Sequence, residues 1–293
     1  MNDTLCGDFA TLRSFLPDNL DENPKLELKN ISNFQNYCPG ENCNTNIEKI
    51  TVGFLWLLGK YYSMSQDKSY NEDNTNAFFI YMISWFSYKL SQTTGHNSTT
   101  INDFYNKNII NNDKYKKFIN DSSTFTNLKE VLNKKNNLLS ININDLSKFY
   151  DASKLICSMY GNVAQNQTGE ILSNNVNDFI NKYTEINNKY NDENGPHRQI
   201  FSVLSTDYNN LKDKRKDFQS LPEISEFSAL ASKSGVTSSS SIGNRLFTVL
   251  SIFGAIAFFL GISYKYSLFG FRKRFKKQQI REKIKNIKKK MNR

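Results

Sequence analysis

Two histidines in 293 residues leave almost no imidazole for catalysis or metal binding. His96 and His197 stand far apart in polar stretches, and neither belongs to an H-E-x-x-H pattern. Phosphate-cradling loops are missing as well. There is no G-x-G-x-x-G and no G-x-S-x-G, and "GFLWLLGKY" from Gly53 has the wrong spacing for a P-loop, lacks Ser or Thr after Lys60 and is too apolar to hold phosphate. The acidic residues are scattered without a metal-ligand pattern. Cys157 with a distant histidine is the one nucleophile-and-base pairing left, and burial or a disulfide explains that cysteine better. These absences argue against an enzyme, a cofactor, a bound metal and a small-molecule substrate. Proline (five) and glycine (thirteen) are also scarce, which leaves long stretches free to be helical. Strand-type alternation is nowhere sustained.

Cysteine is sparse too: Cys6, Cys38, Cys43 and Cys157. The C-x₄-C spacing of Cys38 and Cys43 has no matching second pair and no suitably placed histidine, which argues against zinc. Two disulfides are expected if this part of the chain faces an oxidising space. Three pairings are possible, and the sequence does not choose among them.

What is present favours helices. Only 38% of residues are hydrophobic, yet there are 22 Phe and 15 Tyr, and each aromatic ring buries a large area. "IEKITVGFLWLLGKYYSM" (47–64) and "AFFIYMISWF" (77–86) are too short or too interrupted to cross a bilayer and read as central core helices, with Trp56, Leu57, Phe79 and Trp85 inside. In "VNDFINKYTEINNKY", Val176, Phe179, Ile180, Tyr183, Ile186 and Tyr190 recur at helical spacing. "INDLSKFYDASKLICSMY" repeats the pattern with Ile143, Leu146, Phe149, Tyr150, Ile156 and Tyr160. From His197, Ile200, Val203, Leu204, Tyr208 and Leu211 share one face.

The net charge of +10 is local. Residues 271–293 hold twelve Lys or Arg against one acid, Glu282, whereas the first 244 residues hold 24 basic and 27 acidic side chains. A nucleic-acid-binding domain carries its basic patch on the folded body, so nucleic acid is not expected as a partner. Between Arg245 and Lys265 lie nineteen uncharged residues, Leu246 to Tyr264. As a helix they extend about 28 Å, against a hydrocarbon core of roughly 30 Å. Tyr264, Tyr266, Phe269 and Phe271 follow where an interfacial aromatic belt belongs. A single C-terminal transmembrane helix is therefore expected, limited by Arg245 and Lys265. The positive-inside rule leaves the basic tail in the cytosol and the body on the other side. Arg272, Lys273, Arg274, Lys276 and Lys277 are candidate contacts to anionic lipid. Ile280, Ile284, Ile287 and Met291 recur at helical spacing, which suits either a basic helix lying on the inner leaflet or a solvated tail.

The expected organisation is all-α: a helical ectodomain (1–220), a flexible Ser-rich stalk (221–244), the transmembrane helix (245–266) and a short basic tail (267–293). The first residues show no basic region followed by an apolar run, so no cleavable leader is expected and the C-terminal span is expected to direct the chain into the secretory pathway. Five N-x-[ST] sites occur, at Asn2, Asn30, Asn97, Asn120 and Asn166.

The segments "LSIFGAIAFFLGISYKYSLFGFRKR" and "QQIREKIKNIKKKM" resemble the C-terminus of the Plasmodium interspersed repeat (PIR) proteins of rodent malaria parasites. "LCGDFATLRSFLPDNL", "NYCPGENCNTNIEKI", "INDLSKFYDASKLICSMY", "LSTDYNN" and "SLPEI" extend the likeness over nearly the whole chain. The four cysteines match positions typical of that family. The chain departs from it at Phe54, where members often have Cys, and in residues 166–218, where members carry further cysteines. The resemblance implies a variant, multigene-family membrane protein of blood-stage parasites with a helical ectodomain and no enzymatic activity. Its partners would be the lipid bilayer and an unidentified host or parasite protein. Its place would be the infected red-cell membrane, the parasitophorous vacuole or the parasite surface. The function implied is host interaction or immune evasion; the alternative is a structural or trafficking role in parasite-made membranes.

Overall fold

A computed structural model describes residues 1–115, 118, 128–165, 167, 169–190 and 195–213. By contacts the chain divides into Met1–Gly235 and Val236–Arg293, and every described residue belongs to the first unit. Six long helices build it: α1 (Asp3–Phe15), α2 (Asn46–Gln66), α3 (Glu72–Ser91), α4 (Tyr150–Ala164), α5 (Glu170–Tyr190) and α6 (His197–Asp213). Among the described residues there is no strand, only one isolated bridge between Thr100 and Asn142.

Local chemistry sets where helices begin. The Asn2 side chain accepts from the Leu5 amide at the start of α1, and Asn71 accepts from Asn74 at the start of α3. At α2, Thr45 and Glu48 cap each other's backbone reciprocally, so two otherwise unpaired N–H groups are satisfied together.

Helix α3 is buried on nearly every side from Ala77 to Leu90, because it packs against α2, α4, α6 and the short helix Ile143–Ser147. Ring contacts, hydrogen bonds and one disulfide give the direction of each neighbour. Phe54 stacks on Phe86 at 4.1 Å and Tyr61 meets Phe79 at 4.9 Å, so α2 runs antiparallel to α3. Phe9 meets Phe78 at 5.0 Å while the Lys89 ammonium donates to the Pro17 carbonyl, so α1 runs parallel to α3. Cys6 bonds to Cys157 and Asp18 accepts from Tyr150, so α4 opposes α1. Asn162 pairs with Asn175 across the α4–α5 turn, and Phe179–Tyr208 with Tyr190–His197 lays α6 antiparallel to α5. The result is a six-helix bundle in which direction alternates along the chain.

Gly53 lies where α2 crosses α1 and α3. A Cβ there would stand 2.7 Å from Trp85 Cη2 and 2.8 Å from Leu16 Cδ1. The glycine that superficially suggests a phosphate loop is a packing residue.

One expectation changes. The periodic run 143–160 is not one helix; it breaks at Lys148 and Phe149 into Ile143–Ser147 and α4. The break lets Phe149 sit fully buried among Tyr190, His197 and Phe201, at ring distances of 5.9, 5.9 and 5.2 Å. Phe54, which stands where the resembling family often has Cys, is 1% exposed and is held by its stack on Phe86 rather than by a bond to sulfur.

Candidate functional site

The four cysteines form two disulfides, Cys6–Cys157 and Cys38–Cys43. The first staples α1 to α4. The second closes a tight turn in which Gly40 (φ +74°) and Glu41 (φ +57°) are left-handed, a conformation that glycine adopts without strain. Arg245, Lys265, Arg272, Lys273, Arg274, Lys276 and Lys277 lie outside the described residues, as do the expected stalk, span and tail. Among the described residues no helix is long and apolar enough to cross a membrane.

Alternation of direction has a geometric consequence. Odd helices begin at one pole and end at the other; even helices do the reverse. The connections α2–α3 (67–71) and α4–α5 (165–169) therefore share one pole with Met1 and with Asp213, where α6 ends. They are five residues each. The connections 16–45, 92–149 and 191–196 leave and re-enter the long helices at the opposite pole, and they are 30, 58 and 6 residues long. The longest of them also runs down the side of α3: Lys135 donates to Asn76 at 2.6 Å and lies over the Phe79 ring, close to where α3 begins.

Buried and half-buried charges anchor both poles. At the loop-rich pole Lys89, fully buried, donates to the carbonyls of Pro17 and Asp18, the latter at 2.9 Å. Burial strips water from this ammonium and pulls its pKa down to about 8, although Asp18 and Glu22 oppose the shift. The Asp18 carboxylate accepts from Tyr150 at 2.5 Å and Lys154 at 3.0 Å. Burial alone would raise Asp18; those two donors outweigh it and hold the carboxyl below its ordinary value. Burial also raises the Tyr150 phenol far above its ordinary range. This knot fixes the point at which the 16–45 connection leaves α1. The same connection ends at a second clip. Glu48 accepts from Lys114 at 2.6 Å and Lys114 donates to the Asn42 carbonyl at 2.9 Å. The Lys114 bond and the Thr45 amide push Glu48 down to about 2.

At the short-turn pole Asp207, 2% exposed, pairs with the Met1 ammonium and accepts from Tyr81 at 2.6 Å. Burial and the adjacent carboxylate raise the Tyr81 phenol well above its usual value. The sequence reading missed Asp207 and Lys89. Asp207 is three residues beyond Leu204 and seven beyond Ile200, so it occupies the apolar stripe of α6, and Lys89 similarly follows Trp85 by four. A charge on an apolar stripe is the signal that points to a buried pair.

Two concavities open on the helical sides. One of about 240 Å³ lies between the start of α3 and α6, lined by Asp73, Asn76, Ser202, Thr206 and Asp207. The other, about 410 Å³ and shallow, runs between α4 and α5 past Asp151, Lys154, Leu155, Asp178, Lys182 and Glu185. In the second, Lys154 is engaged by Asp18 and Lys182 by Glu185. His96 lies in the 92–100 connection, accepting from the Ser98 amide at 3.1 Å, and His197 opens α6 against Tyr190. Among the described residues no group of three or more His, Cys, Asp or Glu is placed to hold a metal ion. The arrangement offers a stapled scaffold with an elaborated end.

A family model described as Plasmodium variant antigen protein Cir/Yir/Bir matches residues 6–265. A solved structure of a Plasmodium PIR protein ectodomain superposes with a TM-score of 0.55 at 26% identity, over 75% of this chain and 95% of that chain. The curated proteins yield no match.

Proposed function

Because the chain belongs to the Plasmodium Cir/Yir/Bir variant antigen family, we propose that it is a single-pass membrane antigen of blood-stage parasites whose helical body acts in host interaction or immune evasion. The observation that carries this reading is the polarity of the bundle. The connections 16–45, 92–149 and 191–196 leave and re-enter the helices at one pole, the longest also reaching down α3 to Asn76, while α6 ends at the other. Loops mounted on rigid helices tolerate change in length and sequence without disturbing the core. The Ser-rich stretch before Arg245 supplies a stalk, and the uncharged run to Lys265 supplies the anchor. The match to the family model extends through that run. The ligand is a host or parasite protein met by the loop-rich pole.

The test is to label intact infected cells with a membrane-impermeant amine reagent and to map the modified lysines. Labelling at Lys25, Lys29 and Lys134, all exposed on long connections, supports display at the red-cell surface. A body that is never labelled or cut by external protease overturns that display. A second reading, a structural or trafficking role in the vacuole or exported membranes, is favoured by the twelve basic residues packed after the span. Deleting residues 272–293 while keeping the span separates the two: unchanged localisation and membrane shape count against the second.

A further inference from the structure

Three of the five N-x-[ST] sites fall on described residues, and the structure sorts them. Asn2 is half-buried, and its side chain is turned onto the first turn of α1, accepting from the Leu5 amide at 2.9 Å. Its neighbour Met1 is 3% exposed and paired with the buried Asp207. A sugar on Asn2 would have to fit beside that enclosed pair while the cap stays in place. Asn30 and Asn97 differ on every count. Both are exposed. Asn30 ends the single turn Leu28–Asn30, and its amide side chain makes no hydrogen bond among the described residues. Asn97 stands in the connection after α3 with φ at +48°, two residues past Gly95 at φ +90°. There the chain turns outward, and of Asn97 only the backbone carbonyl is used, by Lys107 at 3.4 Å. The residue directly after each asparagine is buried, while the hydroxyl residues of the two sites, Ser32 and Thr99, are exposed. Ile31 is 4% exposed and Ser32 accepts from the Trp56 indole at 3.1 Å, while Ser98 is 8% exposed and donates to the His96 carbonyl. Each site therefore presents one free amide on an anchored loop.

We infer that Asn30 and Asn97, and not Asn2, carry N-linked sugar, an inference that rests on the proposed extracytosolic placement of the body. The donor is a lipid-linked sugar pyrophosphate. Asparagine Nδ2 bonds to the anomeric carbon, the bond from that carbon to the pyrophosphate oxygen breaks, the lipid pyrophosphate leaves with the electron pair, and Nδ2 gives up one proton. No redox partner is required. Asn97 carries its sugar at the loop-rich pole, so part of that pole is covered by carbohydrate.

The experiment is intact-peptide mass spectrometry on the full chain made in cells whose secretory membranes contain an oligosaccharyl transferase. Protease protection on sealed vesicles is run in parallel. The expected result is a sugar mass increment on the peptides containing Asn30 and Asn97, none on that containing Asn2, and loss of one increment in each of Asn30→Gln and Asn97→Gln. Because both side chains are exposed, both variants stay folded; Asn30→Gln keeps the unfolding midpoint of the parent, and Asn97→Gln lowers it slightly, since glutamine fits φ +48° less well than asparagine. Unmodified Asn30 and Asn97 in a protected body overturn the inference and leave the topology standing. A body cut from the cytosolic side overturns both. Equal modification of Asn2 overturns the sorting.

Discussion

The two disulfides close loops of very different size, and that difference predicts how unequally they stabilise the fold. Cys6 and Cys157 are 151 residues apart, whereas Cys38 and Cys43 are five apart. If a cross-link acts by removing chain entropy from the unfolded state, the long loop contributes about 5 kcal/mol and the short one about 2 kcal/mol. Replacing each pair by alanine also removes two sulfurs from packed surroundings. All four cysteines are buried, between 0% and 7% exposed, so that packing loss is common to both variants and cancels in the comparison. The difference that survives is about 3 kcal/mol. The assay is thermal unfolding of the ectodomain, residues 1–225, for the parent, Cys6→Ala/Cys157→Ala and Cys38→Ala/Cys43→Ala. At roughly 2–4 °C per kcal/mol for a body of this size, the midpoint of the first variant should fall about 6–12 °C below that of the second. Losses equal within about 1 kcal/mol, or a larger loss from the short loop, would refute the entropic reasoning. They would place the stabilisation in native contacts of the Pro39–Glu41 turn instead.

Three further outcomes test the packing and the charge network. Gly53→Val should destabilise by about 1–3 kcal/mol through collision with Trp85 and Leu16, and Gly53→Ala by less, since the gain in helix propensity of about 1 kcal/mol offsets the crowding; a Val variant as stable as the parent would mean that α2 and α3 can separate freely. Between pH 8 and the ordinary lysine range the unfolded chain binds a proton at Lys89 that the folded chain releases, so the parent gains stability as pH rises through that window. Lys89→Met should remove the gain, about 1–3 kcal/mol by denaturant titration at a series of pH values, and a parent–variant difference that stays flat with pH sinks the assignment. Glu48, depressed to about 2, contributes stability that is fully present above its unfolded value and lost as pH falls toward 2. Its side chain is 28% exposed and solvent screens the pair, so Glu48→Gln should cost about 1 kcal/mol at neutral pH and flatten the acid limb.

Helix α5 is legible in the sequence because one face alone is apolar: Val176, Phe179, Ile180, Tyr183 and Ile186 are all buried, and Tyr190, at the end, is half-buried. The same holds for Ile200, Leu204, Tyr208 and Leu211 on α6, with Val203 at the margin. Helix α3 is legible as core but not as to its neighbours, since a helix buried all round carries no directional stripe. The pairing of Cys6 with Cys157 depends on α1 lying against α4, a contact between distant parts of the chain that no local pattern encodes. The break at Phe149 is invisible for the opposite reason. Helical periodicity continues through it, and only the pocket formed by Tyr190, His197 and Phe201 decides that the chain must turn. The loop-rich pole could not be located before the helices had directions, though the lengths of its connections were already implied by the gaps between periodic segments.

Alternating helices also act as a parity rule for insertions and exchanges. A segment spliced into 16–45, into 191–196, or into 92–149 close to where it leaves α3, enlarges one end of the body and leaves the direction of every helix unchanged, provided that it spares Lys89, Asp18, the Glu48–Lys114 clip and the Lys135–Asn76 contact. A segment spliced into 67–71 or 165–169 enlarges the other end, next to where α6 stops. Two chains whose long connections differ but keep the Lys135–Asn76 contact can therefore share one unaltered face, made of two five-residue turns and the tip of α6. An antibody against that face would recognise both chains, whereas an antibody against the long connections would recognise only one.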